Sequence, residues 1–231
     1  MKISGLQKMT LLDFPGQVAC TVFLSGCNFR CPFCHNGELL RCDTETIMEE
    51  AEFLAFLSKR KGLLDAVCIS GGEPTLQADL TDLLRKIKEL GYLTKLDTNG
   101  SRPEVLKELV GAGLLDYVAM DIKNCPARYE ETCGVTLRLE RIEESIRFLL
   151  EEHVDYEFRT TVVEQLHDEA SVSAMGQWVS SLGDRAKRWF VQPFVDRDTV
   201  LFTGLSRPND AQLSAFADIL SRFSSHSAIR G

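Results

Sequence analysis

Apolar runs alternate with amphipathic stretches along most of the chain. Six runs, rich in β-branched residues and bounded by glycine or polar residues, predict buried strands at residues 18–24, 66–70, 93–97, 117–122, 156–163 and 188–194. Apolar residues at helical spacing predict helices at residues 44–58, 79–90, 101–112, 139–150, 168–182 and 209–223. Strands that are nearly continuously apolar and alternate with helices predict a parallel sheet covered by helices.

This alternation fits two α/β architectures, an open doubly wound sheet and a partial barrel. In both, the ligand site forms beyond the carboxyl ends of the strands. The polar and glycine-rich motifs follow predicted strands, so we expect them to meet at one edge of the sheet. We predict one domain over residues 1–231, with an N-terminal extension at 1–17, a core at 18–195 and a C-terminal loop and helix at 196–231.

The composition is that of a soluble globular protein, because 44% of the 231 residues are hydrophobic and 26% are charged. The net charge of −8 argues against a nucleic-acid partner, since such binding depends mainly on lysine and arginine. The first residues do not resemble a signal peptide, and no apolar run is long enough to cross a membrane. We therefore expect a cytoplasmic protein without a membrane partner, whose eight cysteines stay reduced.

Three of these cysteines, Cys27, Cys31 and Cys34, follow the first predicted strand in one short loop. Three interpretations are open: a zinc site completed by His35, an iron–sulfur cluster, or a set of unrelated buried thiols. Zinc sites commonly take paired spacings from two separate loops, and no second pair is present. A cubane cluster is normally held by four cysteines, so three cysteines would leave one iron open to another ligand.

The spacing Cys27-x3-Cys31-x2-Cys34, with the aromatic Phe33 before the third cysteine, resembles the signature of the radical S-adenosylmethionine superfamily. The resemblance implies a partial (βα)6 barrel with parallel strands. It also implies a [4Fe–4S] cluster on the three cysteines, with S-adenosylmethionine bound to the fourth iron and cleaved by one electron to a 5′-deoxyadenosyl radical. Phe33 would then pack on the adenine, while His35 would lie at the cofactor and close the loop.

The motif Gly71-Gly72-Glu73-Pro74 follows the second predicted strand and resembles the superfamily segment that binds the methionine ammonium. Glycines let the backbone approach a ligand closely, and a carboxylate complements a positive amine. The alternative is a plain turn between a strand and a helix, in which Glu73 is solvated.

The third and fourth predicted strands end in polar segments that resemble those of glycyl-radical-enzyme activases. The resemblance implies that these segments line the ribose and carboxylate of the cofactor, through Asp97, Thr98, Asn99, Asp121 and Lys123. Oxygen atoms of Asp97, Thr98 and Asp121 would also suit a monovalent cation. The alternative is a salt bridge between these carboxylates and Lys123.

Two further polar residues lie on the last two predicted strands. Arg159 is a candidate for binding the cofactor carboxylate or a partner's chain, with a structural ion pair as the alternative. Gln192 is a second cofactor-binding candidate. The remaining cysteines lie singly and are expected to be buried or incidental thiols: Cys20, Cys42, Cys68, Cys125 and Cys133.

The segment from Gly5 to Asn36, with the residues LLDFPG at 11–16, resembles the anaerobic ribonucleoside-triphosphate reductase activating proteins. The resemblance implies an enzyme that takes a hydrogen from one glycine of a partner enzyme and leaves a glycyl radical. It further implies a flavodoxin or ferredoxin as the electron donor, and no protein acid or base.

Two departures from related formate-lyase activases bear on the partner. Those proteins usually have Asp-Gly-Pro-Gly where this chain has DFPG at residues 13–16, which favours the reductase activases. They also tend to carry an acidic residue soon after a proline that follows His-Asn, whereas here Gly37-Glu38 follows His35-Asn36, which leaves the partner open. The alternatives are an activase of the pyruvate formate-lyase type, or a radical enzyme acting on a small molecule or modified base. A non-enzymatic alternative is an iron–sulfur or zinc protein used for electron transfer or structure.

Overall fold

Strands and helices alternate along the structure, a computed structural model that describes residues 1–41, 44–200 and 202–230. These residues divide into two compact units. The first unit comprises the described residues of Met1–Asn28, Glu38–Thr98 and Glu104–Ala119. The second unit comprises those of Phe29–Gly37, Asn99–Pro103 and Met120–Gly231. The single domain expected over residues 1–231 stays a prediction.

The first unit is built on a mostly parallel sheet. Its strands are β1 (Lys2–Ile3), β2 (Gly5–Thr10), β3 (Ala19–Leu24), β4 (Met48–Glu49), β5 (Ala66–Gly71), β6 (Leu93–Thr98) and the first residues of β7 (Tyr117–Asp121). The main sheet has the order β2-β3-β5-β6-β7. The pairs β3–β5 and β5–β6 are parallel, whereas β2 runs antiparallel to β3, and β1 and β4 form a separate antiparallel pair.

Helices cover this sheet with their apolar stripes. They are α1 (Glu50–Lys59), α2 (Leu80–Glu89) and α3 (Pro103–Gly111), of which α3 belongs to this unit from Glu104 onward. Fully buried side chains come from both layers: Val22, Val67, Ile69 and Leu96 from the strands, and Phe53, Leu57, Leu83, Leu84 and Ile87 from the helices. The helical spacing seen in the sequence therefore marks the face that packs on the sheet.

The helix predicted at residues 44–58 begins later than expected. Met48–Glu49 forms a strand with Lys2–Ile3, and Ile47, which the helical spacing placed on the apolar stripe, is exposed. The Glu49 backbone N–H donates to the Glu52 carboxylate at 2.9 Å. This contact satisfies a backbone donor at the start of the helix, so α1 begins at Glu50.

The second unit continues the α/β pattern. The last residues of β7 are followed by β8 (Asp155–Val162), β9 (Ala186–Pro193) and β10 (Ser224–Ile229), in the order β7-β8-β9-β10. The pairs β8–β9 and β9–β10 are parallel. The helices are α4 (Tyr129–Cys133), α5 (Leu139–Leu150), α6 (Glu169–Ser180) and α7 (Asp210–Leu220).

Side-chain caps fix the starts of the last two helices. The Asn209 side chain accepts the Gln212 backbone N–H at 3.0 Å, as predicted for α7, and Asp168 accepts that of Ser171 at 2.7 Å at the start of α6. The helix predicted at residues 209–223 ends at Leu220 and is followed by β10, which the prediction missed. Because Ser224–Ile229 is largely polar and pairs with β9 through its backbone, it carries no apolar signal.

The predicted α/β class with parallel strands is confirmed, and each of the six predicted strands corresponds to an observed one. Fully buried residues of the second unit include Ile142, Ile146, Leu149, Met175, Phe158 and Trp189. Among the described residues, no helix combines the length and apolar character needed to cross a membrane.

Candidate active site

The glycine pair after β5 packs directly on the end of β3. Gly72 N–H donates to the Leu24 carbonyl at 2.9 Å, and Glu73 N–H donates to the Gly26 carbonyl at 2.8 Å. A Cβ atom at Gly71 would overlap the Leu24 carbonyl oxygen, and one at Gly72 would overlap the Gly26 carbonyl oxygen. Gly71 also has a φ of 123°. Both positions therefore require glycine for the approach of two backbone segments, whether or not a ligand is bound.

Glu73 is fully buried at this junction. Its Oε1 atom accepts hydrogen bonds from the Thr75 backbone N–H at 3.1 Å, the Thr75 hydroxyl at 2.6 Å and the Thr98 hydroxyl at 2.8 Å. Pro74, also buried, opens the 3-10 turn Pro74–Leu76. The alternative of a solvated Glu73 is wrong, because the carboxylate is held inside the first unit.

The first cysteine of the loop follows this junction. Gly26 N–H donates to the Leu39 carbonyl at 2.8 Å, and Cys27 N–H donates to the Leu40 carbonyl at 3.3 Å. Cys27 is partly exposed. The segment after β3 thus bonds on one side to Gly72 and Glu73 and on the other to residues 39 and 40.

The other two cysteines of the loop belong to the second unit. Cys34 N–H donates to the Cys31 carbonyl at 3.1 Å, which closes a turn, and Arg30 N–H donates to the Cys133 carbonyl at 2.8 Å. The pKa of Cys31 is lowered to about 7, mainly by a hydrogen bond from the Cys133 thiol. Burial raises this pKa, and the nearby positive charge of Lys123 lowers it further. Burial raises the pKa of Cys34, although the Asn36 backbone N–H and Lys123 oppose the rise.

Asp121, Lys123 and Arg159 form an ion-pair group at the end of β7. Lys123 Nζ lies 2.9 Å from Asp121 Oδ2, and Arg159 Nε lies 2.9 Å from Asp121 Oδ1. Burial by itself lowers the pKa of the Lys123 ammonium, but Asp121 and the Cys31 sulfur outweigh burial and hold that pKa above the usual range. The ion pairs considered as alternatives for Asp121, Lys123 and Arg159 are therefore present in the structure. Binding of the cofactor or of a partner by these residues stays a prediction.

Asp97 is also engaged by a neighbouring cation. Its Oδ1 lies 2.7 Å from Lys95 Nζ, and its Oδ2 accepts a hydrogen bond from the Ser70 hydroxyl at 3.0 Å. Asn99 Oδ1 accepts the Ser101 N–H at 2.9 Å in the second unit. The monovalent cation expected at Asp97, Thr98 and Asp121 stays a prediction.

Phe33 and His35 pack within the second unit. Phe33 is buried with Val163, Leu166 and Phe194, so the adenine contact expected of it stays a prediction. His35 stacks on Phe194 with ring centroids 5.7 Å apart, and its Nε2 accepts the Val195 N–H at 3.3 Å.

Burial, followed by the nearby charge of Arg197, lowers the pKa of His35. These contacts join the imidazole to the segment after β9, and the role of His35 at the cofactor stays a prediction. Gln192 lies on β9 in register with Thr161, and its binding role stays a prediction.

The single cysteines differ in what they contact. Cys20, Cys68 and Cys125 are buried, as expected, and burial raises the pKa of Cys20 to about 12. Cys42 lies outside the described residues. Cys133 is buried as well, but its thiol donates a hydrogen bond to Cys31, a contact that spacing along the sequence does not reveal.

The sequence analysis also missed Lys95, although its place two residues before Asp97 on a strand puts both side chains on one face.

The donor chemistry of the loop fits a cluster. Thiolate is the form of cysteine that binds iron, and a pKa of about 7 makes it well populated at Cys31 near neutral pH. Across residues 1–41, 44–200 and 202–230, no three histidine, cysteine or carboxylate side chains are grouped so that they could hold one metal ion. In an iron–sulfur cluster, each thiolate binds a different iron, so a cluster does not require three side chains that converge on one ion.

Comparison with known proteins identifies the class. The Radical SAM superfamily model matches residues 21–170. A protein of Methanocaldococcus jannaschii, whose name assigns it provisionally as a glycyl-radical enzyme activating enzyme, is 31% identical over 99% of this chain and 95% of that protein. The pyruvate formate-lyase-activating enzyme of Clostridium pasteurianum is 34% identical over 53% of this chain and 52% of that enzyme.

A solved structure agrees in fold. Streptococcus suis SuiB bound to S-adenosylmethionine has a TM-score of 0.68 over 91% of this chain and 52% of that chain, at 17% identity. The match of the family model over residues 21–170 shows that the chain belongs to the radical SAM superfamily, whose members are enzymes that use a [4Fe–4S] cluster and S-adenosylmethionine.

Proposed function

We propose that the protein activates an anaerobic, class III ribonucleoside-triphosphate reductase by generating a glycyl radical on it. The observation that carries the proposal is the bonding of Gly72 and Glu73 to Leu24 and Gly26, immediately before Cys27. It fixes a buried carboxylate next to the start of the cysteine loop. The match to the Methanocaldococcus jannaschii relative over nearly the whole length of both chains supports an activase.

In this proposal, the cysteines and Glu73 have separate roles. Cys27, Cys31 and Cys34 hold the cluster, and Glu73 receives the ammonium of S-adenosylmethionine. When bound, the cluster and S-adenosylmethionine supply the 5′-deoxyadenosyl radical that takes a hydrogen from the partner's glycine. A flavodoxin or ferredoxin delivers the electron, and the protein acts in the cytoplasm without a membrane or nucleic-acid partner.

The resemblance of residues 11–16 to the reductase activating proteins favours the reductase as the partner. The second candidate is an activase of pyruvate formate-lyase, which the match to the Clostridium pasteurianum enzyme favours over about half of each chain. The two candidates share the same chemistry and differ only in the glycine attacked.

The test is anaerobic incubation of the cluster-reconstituted protein with S-adenosylmethionine, a reductant and either purified partner, followed by electron paramagnetic resonance. We expect a glycyl radical doublet with the reductase and none with Cys31→Ala. A doublet only with pyruvate formate-lyase would establish the second candidate. Cleavage of S-adenosylmethionine without a doublet on either partner would indicate a radical enzyme for a small molecule or modified base. Absence of cleavage would indicate an iron–sulfur or zinc protein of another kind.

A further inference from the structure

Lys95 and Asp97 lie two residues apart on β6, so their side chains project from the same face of the strand. The Lys95 ammonium lies 2.7 Å from Asp97 Oδ1, and the Ser70 hydroxyl donates to Asp97 Oδ2 at 3.0 Å. Each oxygen of this carboxylate therefore has a donor from the first unit. One of the two donors carries a full positive charge.

The position of Lys95 is unusual for a lysine. Its side chain is 1% exposed, and its register neighbour on β5 is Cys68, whose sulfur lies 3.9 Å from the ammonium. Burying an ammonium is costly unless an opposite charge and hydrogen bonds compensate for the lost water. The Asp97 carboxylate provides that compensation, so the two charges stabilise each other in the buried layer.

A monovalent cation bound to Asp97 would lie close to the positive charge of the Lys95 ammonium. Like charges that share one carboxylate repel each other, and the repulsion is weakly screened where water is excluded. The resemblance to glycyl-radical-enzyme activases implied a monovalent cation beside Asp97, whereas the position beside Oδ1 is taken by the ammonium of the chain itself.

We propose that the Lys95 ammonium supplies the positive charge beside Asp97 that a monovalent cation was expected to supply, so that S-adenosylmethionine binding needs no added cation. Lys95 is thus a positioning residue that acts on the ligand through Asp97. The inference rests on the proposed function, because only the family resemblance places Asp97 at the cofactor.

The test measures S-adenosylmethionine binding to the cluster-reconstituted full chain by anaerobic titration calorimetry. Choline chloride, sodium chloride and potassium chloride are compared at equal ionic strength, since choline is too bulky to replace a small cation. For the unaltered protein, we expect Kd to vary by less than about twofold among the salts. For Lys95→Met, which keeps the length of the side chain but not its charge, we expect Kd in choline to rise about tenfold. Sodium or potassium should restore most of that loss.

Lys88→Met is the matched control. It removes another lysine–aspartate pair of the first unit, in which Lys88 Nζ lies 2.7 Å from Asp116 Oδ2. That pair is more exposed than the Lys95–Asp97 pair and lies near the beginning of β6. The Kd of Lys88→Met should equal that of the unaltered protein in all three salts. A tenfold tightening of the unaltered protein by sodium or potassium would overturn the proposal. So would normal binding by Lys95→Met in choline, or weak binding that neither cation restores.

Thermal unfolding of the same proteins in the same salts, without S-adenosylmethionine, separates this inference from the proposed function. Sodium or potassium should raise the midpoint of Lys95→Met by about 3 °C over choline and leave the unaltered protein unchanged. If the unaltered protein binds no S-adenosylmethionine in any salt, the proposed function fails while the unfolding data still decide the role of Lys95. If Lys95→Met does not fold, a cation response of the unaltered protein in either measurement still overturns the inference.

Discussion

Two carboxylates that follow buried strands, Glu73 after β5 and Asp121 at the end of β7, are held in different ways. Glu73 accepts hydrogen bonds from Thr75 and Thr98, close to a glycine pair that packs on backbone. Asp121 accepts from the cations Lys123 and Arg159. The first arrangement depends on shape and short hydrogen bonds, and the second on charge. The loss of stability caused by a substitution should therefore depend on salt concentration near Asp121 and not near Glu73.

The largest effect is expected at Gly72. In Gly72→Ala, the new Cβ would overlap the Gly26 carbonyl oxygen, which belongs to backbone and has little freedom to move. We expect the free energy of unfolding to fall by about 3 kcal/mol, as for overpacking of a rigid site. Urea unfolding followed by circular dichroism measures this loss, which should be the same at low and high salt.

Gly111→Ala is the control for Gly72→Ala. Gly111 ends α3, and nothing lies within 4 Å of a Cβ placed there. Its replacement should leave stability unchanged or raise it by up to about 1 kcal/mol, since alanine favours a helix. If Gly72→Ala is as stable as the unaltered protein, the close approach of Gly72 to the Gly26 carbonyl is not required for the fold.

Asp121→Asn should have the next largest effect. It would leave the Lys123 and Arg159 cations facing a neutral amide, and both side chains are only 14% exposed. We expect a loss of about 2 kcal/mol, because removing one partner of a largely buried ion pair leaves uncompensated charge. Urea unfolding should show a smaller loss at 1 M salt, since counterions screen the remaining repulsion.

Glu131→Gln is the control for Asp121→Asn. Glu131 pairs with Arg128 in the same unit, but its side chain is 57% exposed. An exposed ion pair contributes little, so stability should change by less than about 0.5 kcal/mol. If the two substitutions have the same effect, the contrast between the two carboxylates is wrong.

Glu73→Gln should change ligand affinity more than stability. The amide oxygen keeps an acceptor for the Thr75 and Thr98 donors, but it lacks the negative charge that complements an ammonium. We expect the Kd for S-adenosylmethionine to rise about tenfold, or 1.4 kcal/mol. Titration calorimetry with the cluster-reconstituted protein checks this value. Unchanged affinity would remove Glu73 from the proposed site, and Glu89→Gln, on the exposed face of α2, serves as the control.

These contrasts also separate what the sequence could predict from what it could not. Buried strands, amphipathic helices and the motifs after the strands are local patterns, and the structure confirms the strands. Contacts such as Cys133 with Cys31 join residues that lie far apart along the chain, so no spacing indicates them. The edge strands β2 and β10 are partly polar and depend on backbone pairing, which leaves no hydrophobic signal. Lysine is usually exposed, so the burial of Lys95 beside Asp97 could not be predicted from its residue type.

The smallest effect is expected at Cys133, and it concerns the acidity of Cys31. The hydrogen bond from the Cys133 thiol lowers the pKa of Cys31 to about 7, so about half of Cys31 is thiolate at pH 7 in the protein without cluster. Because the thiolate is the nucleophile, alkylation of Cys31 by iodoacetamide should speed up with rising pH and level off above about pH 8. Burial raises the pKa of Cys34, so alkylation of Cys34 should still be rising there.

Cys133→Ala removes the donor and leaves burial to raise the pKa of Cys31. The rate of Cys31 alkylation at pH 7 should then fall by about fivefold, because it follows the thiolate fraction. Fragmentation of the tryptic peptide that begins at Cys31 distinguishes this label from one at Cys34. Cys133→Ser is the matched control, since its hydroxyl keeps a hydrogen-bond donor of similar size and should preserve most of the rate. If the alanine and serine variants react alike, the acidity of Cys31 has a source other than Cys133, and Lys123 is the next group to replace.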